Sequence, residues 1–115
     1  MIILKWYNEE LTSELREALE KEIIGWYKVT FKKMLGCPCY LANGKMFAGL
    51  ITKAVVITKL TEFEIIEIKK LHETKPFNVG GKTLKKWVCL PLDPIDLKSI
   101  LPLIVKSYER ALNKK

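Results

Sequence analysis

Cys37-Pro38-Cys39 is the spacing in this sequence that most invites chemistry. On a β-strand, residues two apart project from the same face. The two thiols would then stand side by side, able to hold a soft metal ion or form a redox couple. Structural zinc sites use four ligands, with cysteines spaced C-x₂₋₄-C. Beyond this pair the sequence offers only Cys89 and His72. The expected role of all three cysteines is therefore that of small apolar residues packed under a helix, where free thiols commonly sit. No metal and no cofactor is expected. Pro38 has no N–H to give a ladder, so it predicts a strand edge or a bulge.

The other chemical candidates are weaker. Gly80-Gly81-Lys82-Thr83 imitates the end of a phosphate-binding loop, G-x-x-x-x-G-K-[ST]. The position that should hold the first glycine is Pro76, and a strand follows where a helix is required. His72 is the sole histidine, set among Lys69, Lys70 and Glu73 near a helix end, which suits a solvated or capping role. Ser13, Ser99 and Ser107 all fall in expected helices, none on a nucleophile elbow. Asp93 and Asp96 read as helix caps. No catalytic residue is expected, and the chain is not read as an enzyme. Lys82, Lys85 and Lys86 beside Trp87 form a basic-aromatic cluster of the kind that holds phosphates and stacks bases. Lysines on an edge strand also discourage unwanted pairing.

The elements that position these residues are legible in turn. Asn43-Gly44 is a strong type I′ hairpin signal, because that turn needs φ > 0 at both central positions. It predicts strands 37–42 and 45–51, with Leu41 facing Met46 and Cys39 facing Ala48. Cys37, Cys39, Leu41, Met46, Ala48 and Leu50 would share one face; Tyr40, Ala42, Lys45, Phe47 and Gly49 the other. Residues 9–26 repeat Leu11, Leu15, Ala18, Leu19, Ile23 and Trp26 at helical spacing, with Asn8 as cap. Residues 28–35 and 54–60 read as strands. Thr61-Glu62-Phe63-Glu64 is a capping box opening a helix to about His72. Short extended pieces follow at 75–79 and 85–90. Asp93-Pro94 then opens a last helix carrying Leu97, Ile100, Leu101, Ile104, Tyr108 and Ala111, with Pro102 as a kink or a division. The order is α-β-β-β-β-α-β-β-α: an α+β, two-layer domain with helices on one face of an antiparallel sheet. Leu41, Met46, Ala48, Val56 and Cys89 are expected inside. Tyr40 and Phe47 are expected on the face the helices leave open, as a partner surface.

Composition sets outer bounds. At 115 residues and 49% apolar content, the chain is one domain, 1–115, able to bury a core without disulfides. No apolar run approaches the ~20 residues of a membrane span. Met1-Ile2-Ile3-Leu4 is too short for a signal-peptide core, and three cysteines is an odd number, so reduced thiols in the cytoplasm are expected. The net charge of +7 is uneven. Residues 1–27 carry three basic and six acidic side chains; residues 28–115 carry seventeen and seven. With no glutamine and twelve isoleucines, the lysine- and glutamate-rich surface reads as thermophile-like. A basic face for nucleic acid is the sharper alternative.

Several segments together resemble the TfoX/Sxy amino-terminal domain family. They are Leu4-Lys5-Trp6, Lys33-Met34, the hairpin Asn43-Gly44-Lys45-Met46-Phe47-Ala48, Lys75-Pro76-Phe77, Gly80-Gly81-Lys82 and Trp87-Val88-Cys89-Leu90-Pro91. Leu35 stands where the family more often has Phe. The resemblance spans nearly the whole chain and implies a two-layer α+β domain with regulatory associations and no established chemistry. It implies a free-standing domain, without the helical carboxy-terminal domain of full-length competence regulators. The resulting expectation is a non-enzymatic interaction or regulatory module that self-associates as a homodimer through Tyr40 and Phe47. The alternative is a weak, non-specific nucleic-acid binder using Lys82, Lys85, Lys86 and Trp87.

Overall fold

The structure, a computed structural model, describes residues 7–34, 36–79 and 82–113, with the side chains at 76–79 and 82–86 outside that description. Leu4-Lys5-Trp6, Leu35 and Gly80-Gly81 therefore lie outside the described residues. The elements are α1 (Glu9–Ile23), β1 (Val29–Met34), β2 (Cys37–Ala42), β3 (Lys45–Ile51), β4 (Ala54–Ile57), α2 (Glu62–Leu71), β5 (Lys75–Val79), β6 (Lys82–Pro91) and α3 (Leu97–Asn113). A single 3₁₀ turn, Pro94–Asp96, precedes α3. The strands form one sheet in the order β1-β2-β3-β4-β6-β5, every neighbour antiparallel. The fold is α+β in the expected order.

Local signals account for most boundaries. Asn8 accepts the Leu11 N–H at 3.0 Å and starts α1. Thr61 and Glu64 complete the capping box of α2. α1 stops at Ile23, three residues short of the apolar pattern, and Lys28 turns the chain into β1 at φ 58°. Pro102 sits inside an unbroken α3 on its exposed side, where the carbonyl it leaves unbonded meets water.

The three helices share one apolar cluster with one face of the sheet. Leu15, Leu19 and Ile23 come from α1, Ile65 and Ile68 from α2, and Ile100, Ile104 and Ala111 from α3. They meet Tyr40, Phe47, Ala48, Leu50, Val55, Ile57, Val88 and Leu90 of the strands. Alternation puts the registered row Cys39↔Gly49↔Val56↔Cys89 on the opposite face. Cys37, Cys39 and Cys89 are buried there, none of them in a disulfide, which corrects the expectation that a helix covers them.

The hairpin turn is as expected, with Asn43 at φ 54° and Gly44 at φ 83°. Leu41 pairs with Met46, but Cys39 pairs with Gly49 instead of Ala48. A β-bulge between Tyr40 and Leu41 inserts one residue, so Phe47 and Ala48 together oppose Tyr40. The faces beyond it are exchanged relative to a strict two-residue period. Tyr40, Phe47 and Ala48 all turn toward the helices, and Tyr40 and Phe47 are 0% exposed. Neither is a partner surface. Of the five residues expected inside, Ala48, Val56 and Cys89 are buried; Leu41 and Met46 are half-buried.

Candidate functional site

Among the strands whose side chains are described, β1 is the least protected. Val29 is half-buried, and the other five residues of the strand are exposed. Its β-branched and aromatic residues favour an extended chain, and β2 pairs it along its whole length, from Val29↔Ala42 to Met34↔Cys37. Among the described residues its other edge has no neighbour in the sheet. The entry to β1 is braced from α3, where Tyr108 donates to the Tyr27 carbonyl at 2.8 Å and meets Trp26 at a tilt, ring centroids 4.9 Å apart. Phe31, 44% exposed, stands edge-on over buried Tyr40 with ring centroids 5.1 Å apart.

Between this edge and α1 lies a cleft of about 600 Å³, lined by Glu9, Arg16, Glu20, Phe31, Lys32 and Lys33, with Pro38, Cys39 and Tyr40 at its base. A continuous polar chain crosses it. Tyr7 donates to Glu9 at 2.6 Å, Arg16 holds both Glu9 oxygens at 2.9–3.0 Å, and its other amine donates to Glu20 at 3.0 Å. Tyr40 donates to the second Glu20 oxygen at 2.8 Å. Arg16 and Glu20 are a visible i,i+4 pair in the sequence. The link to Glu9 lies two turns back on the same helix, i,i+7; only the link from Tyr40 is tertiary, and it had no sequence signal.

The electrostatics of this chain hold Glu9 and Arg16 charged and the two tyrosines protonated. The Arg16 hydrogen bonds hold the Glu9 carboxyl below the usual carboxylate range, with help from Tyr7. The bond to Glu9 holds Arg16 still more firmly protonated. Burial, then the neighbouring carboxylates, push the Tyr7 and Tyr40 hydroxyls up. Arg16 has its donors turned to two carboxylates and is not left open as an anion clamp. The arrangement braces α1 against the sheet and presents a surface carrying the cations Lys32 and Lys33 beside Phe31.

The other expected positions fall apart in space. Cys39 and Cys89 occupy one row but are separated by two strands, about 14 Å at the usual strand spacing. Burial raises all three thiols. Among the described residues no group of three His, Cys, Asp or Glu side chains converges as a metal site. His72 ends α2, with Nε2 3.3 Å from Ser99 Oγ, a meeting the sequence did not suggest. Ser99 donates its proton to the Asp96 carbonyl at 2.6 Å, so the hydroxyl serves the start of α3 and the imidazole donates to it.

Lys82, Lys85, Lys86 and Trp87 lie on β6. The side chains of the three lysines lie outside the described residues; Trp87 is half-buried. The backbone register is informative. Pairing passes from Phe77↔Leu84 to Pro76↔Val88, so Lys85, Lys86 and Trp87 together occupy a break in the β5–β6 ladder. No described helix is long and apolar enough to cross a membrane.

The class defined by this geometry is an α+β domain with a six-stranded antiparallel sheet, helices on one face and an exposed edge strand at β1. No family model matches the chain, and no curated protein matches it.

Proposed function

We propose that this chain is a non-enzymatic interaction module, similar to a TfoX/Sxy amino-terminal domain, that pairs with a second copy through β1. The observation that carries the reading is the exposure of β1 along its length beside an edge with no neighbour among the described residues. Such an edge is a template for another strand. The Asn43 N–H donates to the Lys28 carbonyl, so residue 28 faces β2. By antiparallel alternation 30, 32 and 34 do too, leaving the main-chain groups of Phe31 and Lys33 facing outward.

Two-fold pairing must bring outward residues opposite each other, and this restricts the register. Centring it on Phe31 sets Phe31 against its own copy, Lys32 against Thr30 and Lys33 against Val29. The next allowed register sets Lys32 against Lys32 and is disfavoured by like charge. The contact is isologous, the same patch meeting itself. It replaces Tyr40 and Phe47, which are buried, as the partner surface. A reduced, cytoplasmic setting accords with three cysteines of which none is in a disulfide. Sedimentation at high micromolar concentration tests the reading: a dimer is expected, and Lys33→Pro, which deletes an outward N–H, and Phe31→Asp should each give monomer. A monomeric wild type, or a dimer indifferent to both changes, overturns it.

A second reading rests on the break at Lys85, Lys86 and Trp87, since bulges often re-aim side chains near sites. It makes the chain a weak nucleic-acid binder working through phosphate attraction. Counterion release makes such binding fall steeply with salt, and no groove-reading motif accompanies it. Titration of mixed-sequence DNA at low and physiological salt tests it. Binding that fades with salt and weakens on Lys85→Ala with Lys86→Ala supports it; none at low salt removes it.

A further inference from the structure

The sheet adds to the two thiols of β2 something the sequence spacing alone did not show. Met34 is the registered partner of Cys37, and cross-strand partners share a face. Met46 is the registered partner of Leu41 and so projects from the same face as Cys37 and Cys39. Its side chain reaches back along β3 over Gly49. A Cβ placed on Gly49 would lie 2.7 Å from the Met46 methyl and 3.7 Å from Cys39 Sγ. The missing side chain of Gly49 thus makes the space in which a thioether and a thiol meet. Cys39 Sγ in turn points toward Cys37, 3.5 Å from its carbonyl oxygen. Four sulfur side chains from three adjacent strands therefore share the face opposite the helices, with Met34 registered beside Cys37 and the Met46 methyl brought to Cys39 over Gly49. Met34, 45% exposed, stands at the solvent side.

We propose that Cys37 and Cys39, flanked by Met34 and Met46, form a binding site for a soft monovalent cation of the copper(I) type. Thiolate and thioether sulfur select such ions over the harder divalent metals. The site lacks the four nitrogen, oxygen or thiolate ligands of structural zinc. Binding breaks two S–H bonds, forms two S–Cu bonds and releases two protons to solvent. No electron is transferred, because the ion enters already monovalent. Thiolate is the ligating form, so the ion displaces one proton from each cysteine as it binds. Met34 on the exposed strand is the route by which an ion enters.

Anaerobic titration with copper(I) buffered by a chromogenic chelator tests the site. One ion per chain is expected, competing with the chelator. Cys37→Ser and Cys39→Ser should each abolish that competition, and Met34→Leu with Met46→Leu should weaken binding by about tenfold or more. The methyl resonances of Met34 and Met46 should shift on saturation in the wild-type protein, a readout that holds even where a cysteine variant fails to fold. The proposal is overturned by failure to compete, by binding that survives both cysteine changes, or by methionine resonances and affinities that do not respond.

Discussion

Ser107, on α3, donates its hydroxyl to the carbonyl oxygen of Phe47 at 2.7 Å, inside the bulge of β3. The same oxygen atom of Ser107 accepts the Lys59 N–H at 3.1 Å. Thr58 completes the brace, donating its hydroxyl to Met46 O at 2.8 Å and its N–H to Phe47 O at 3.3 Å. A bulge frees main-chain groups from the ladder, and buried ones must find partners. This serine, 0% exposed, is what lets a bulge stand beneath a helix. Ser107→Ala should destabilise the protein by about 1–2 kcal/mol, the cost of a buried N–H left without its acceptor. Urea unfolding measures it; a change inside the ±0.5 kcal/mol typical of surface substitutions would remove the brace from the account.

The inward turn of Phe47 carries a larger expectation. Its ring meets Tyr108 at 5.4 Å and Trp26 at 6.1 Å. Phe47→Ala should cost about 3–5 kcal/mol, as for other buried aromatics. Thermal and denaturant unfolding would both report it, and a near-neutral variant would return Phe47 to the surface.

Tyr40→Phe isolates the polar chain from the packing around it. The ring stays, and only the hydroxyl that reaches Glu20 is lost. The expected cost is about 1–2 kcal/mol, for a hydrogen bond to an ionised partner. Chemical denaturation of this variant and of Glu20→Gln should show non-additive losses when the two are combined. Strict additivity would mean the contact contributes nothing.

Acid stability should carry the mark of Glu64. Arg110 donates both of its terminal amines to this buried carboxylate, and with the Thr61 N–H they hold it down to about 2. Arg110 also donates to the Lys59 carbonyl at 2.9 Å, tying α3 to the chain that enters α2. A carboxyl depressed by folding contributes its stability above its unfolded value, near 4.3, and loses it as pH falls through the folded value. The wild type should therefore weaken between about pH 4.5 and 2, and Glu64→Gln should be less stable at neutrality with a flatter profile across that window. Equal slopes for the two proteins would show that the pair is not coupled to folding.

Gly44→Ala tests the turn. Its φ of 83° is open to glycine and strained for alanine, while nothing lies within 4 Å of the added methyl. A loss of about 1 kcal/mol is expected from backbone strain alone, read from the shift in the unfolding midpoint.

By itself the sequence determined the α+β class, the order of elements, the Asn43-Gly44 turn, the capping box at Thr61 and the stripes of α1 and α3. These are local: they follow from φ preferences, side-chain-to-backbone bonds within a few residues, and apolar periodicity. It did not determine which face of the hairpin is covered. A two-residue period assigns faces only while the ladder is regular, and one extra residue at Phe47 exchanges every face beyond it. The bulge is held by Ser107 and Thr58, which lie 60 and 11 residues further along the chain and announce nothing locally. The sequence placed Tyr40 and Phe47 outside for a different reason: nothing local shows which face the helices cover, and the packing of Trp26 and Tyr108 draws Phe47 in while Glu20 receives Tyr40. Tertiary structure alone decided that β1 is an exposed edge, that Tyr40 joins Glu20 of α1, and that Met34 shares a face with Cys37 and Cys39. Each depends on strand order and register, which arise only when distant segments pair.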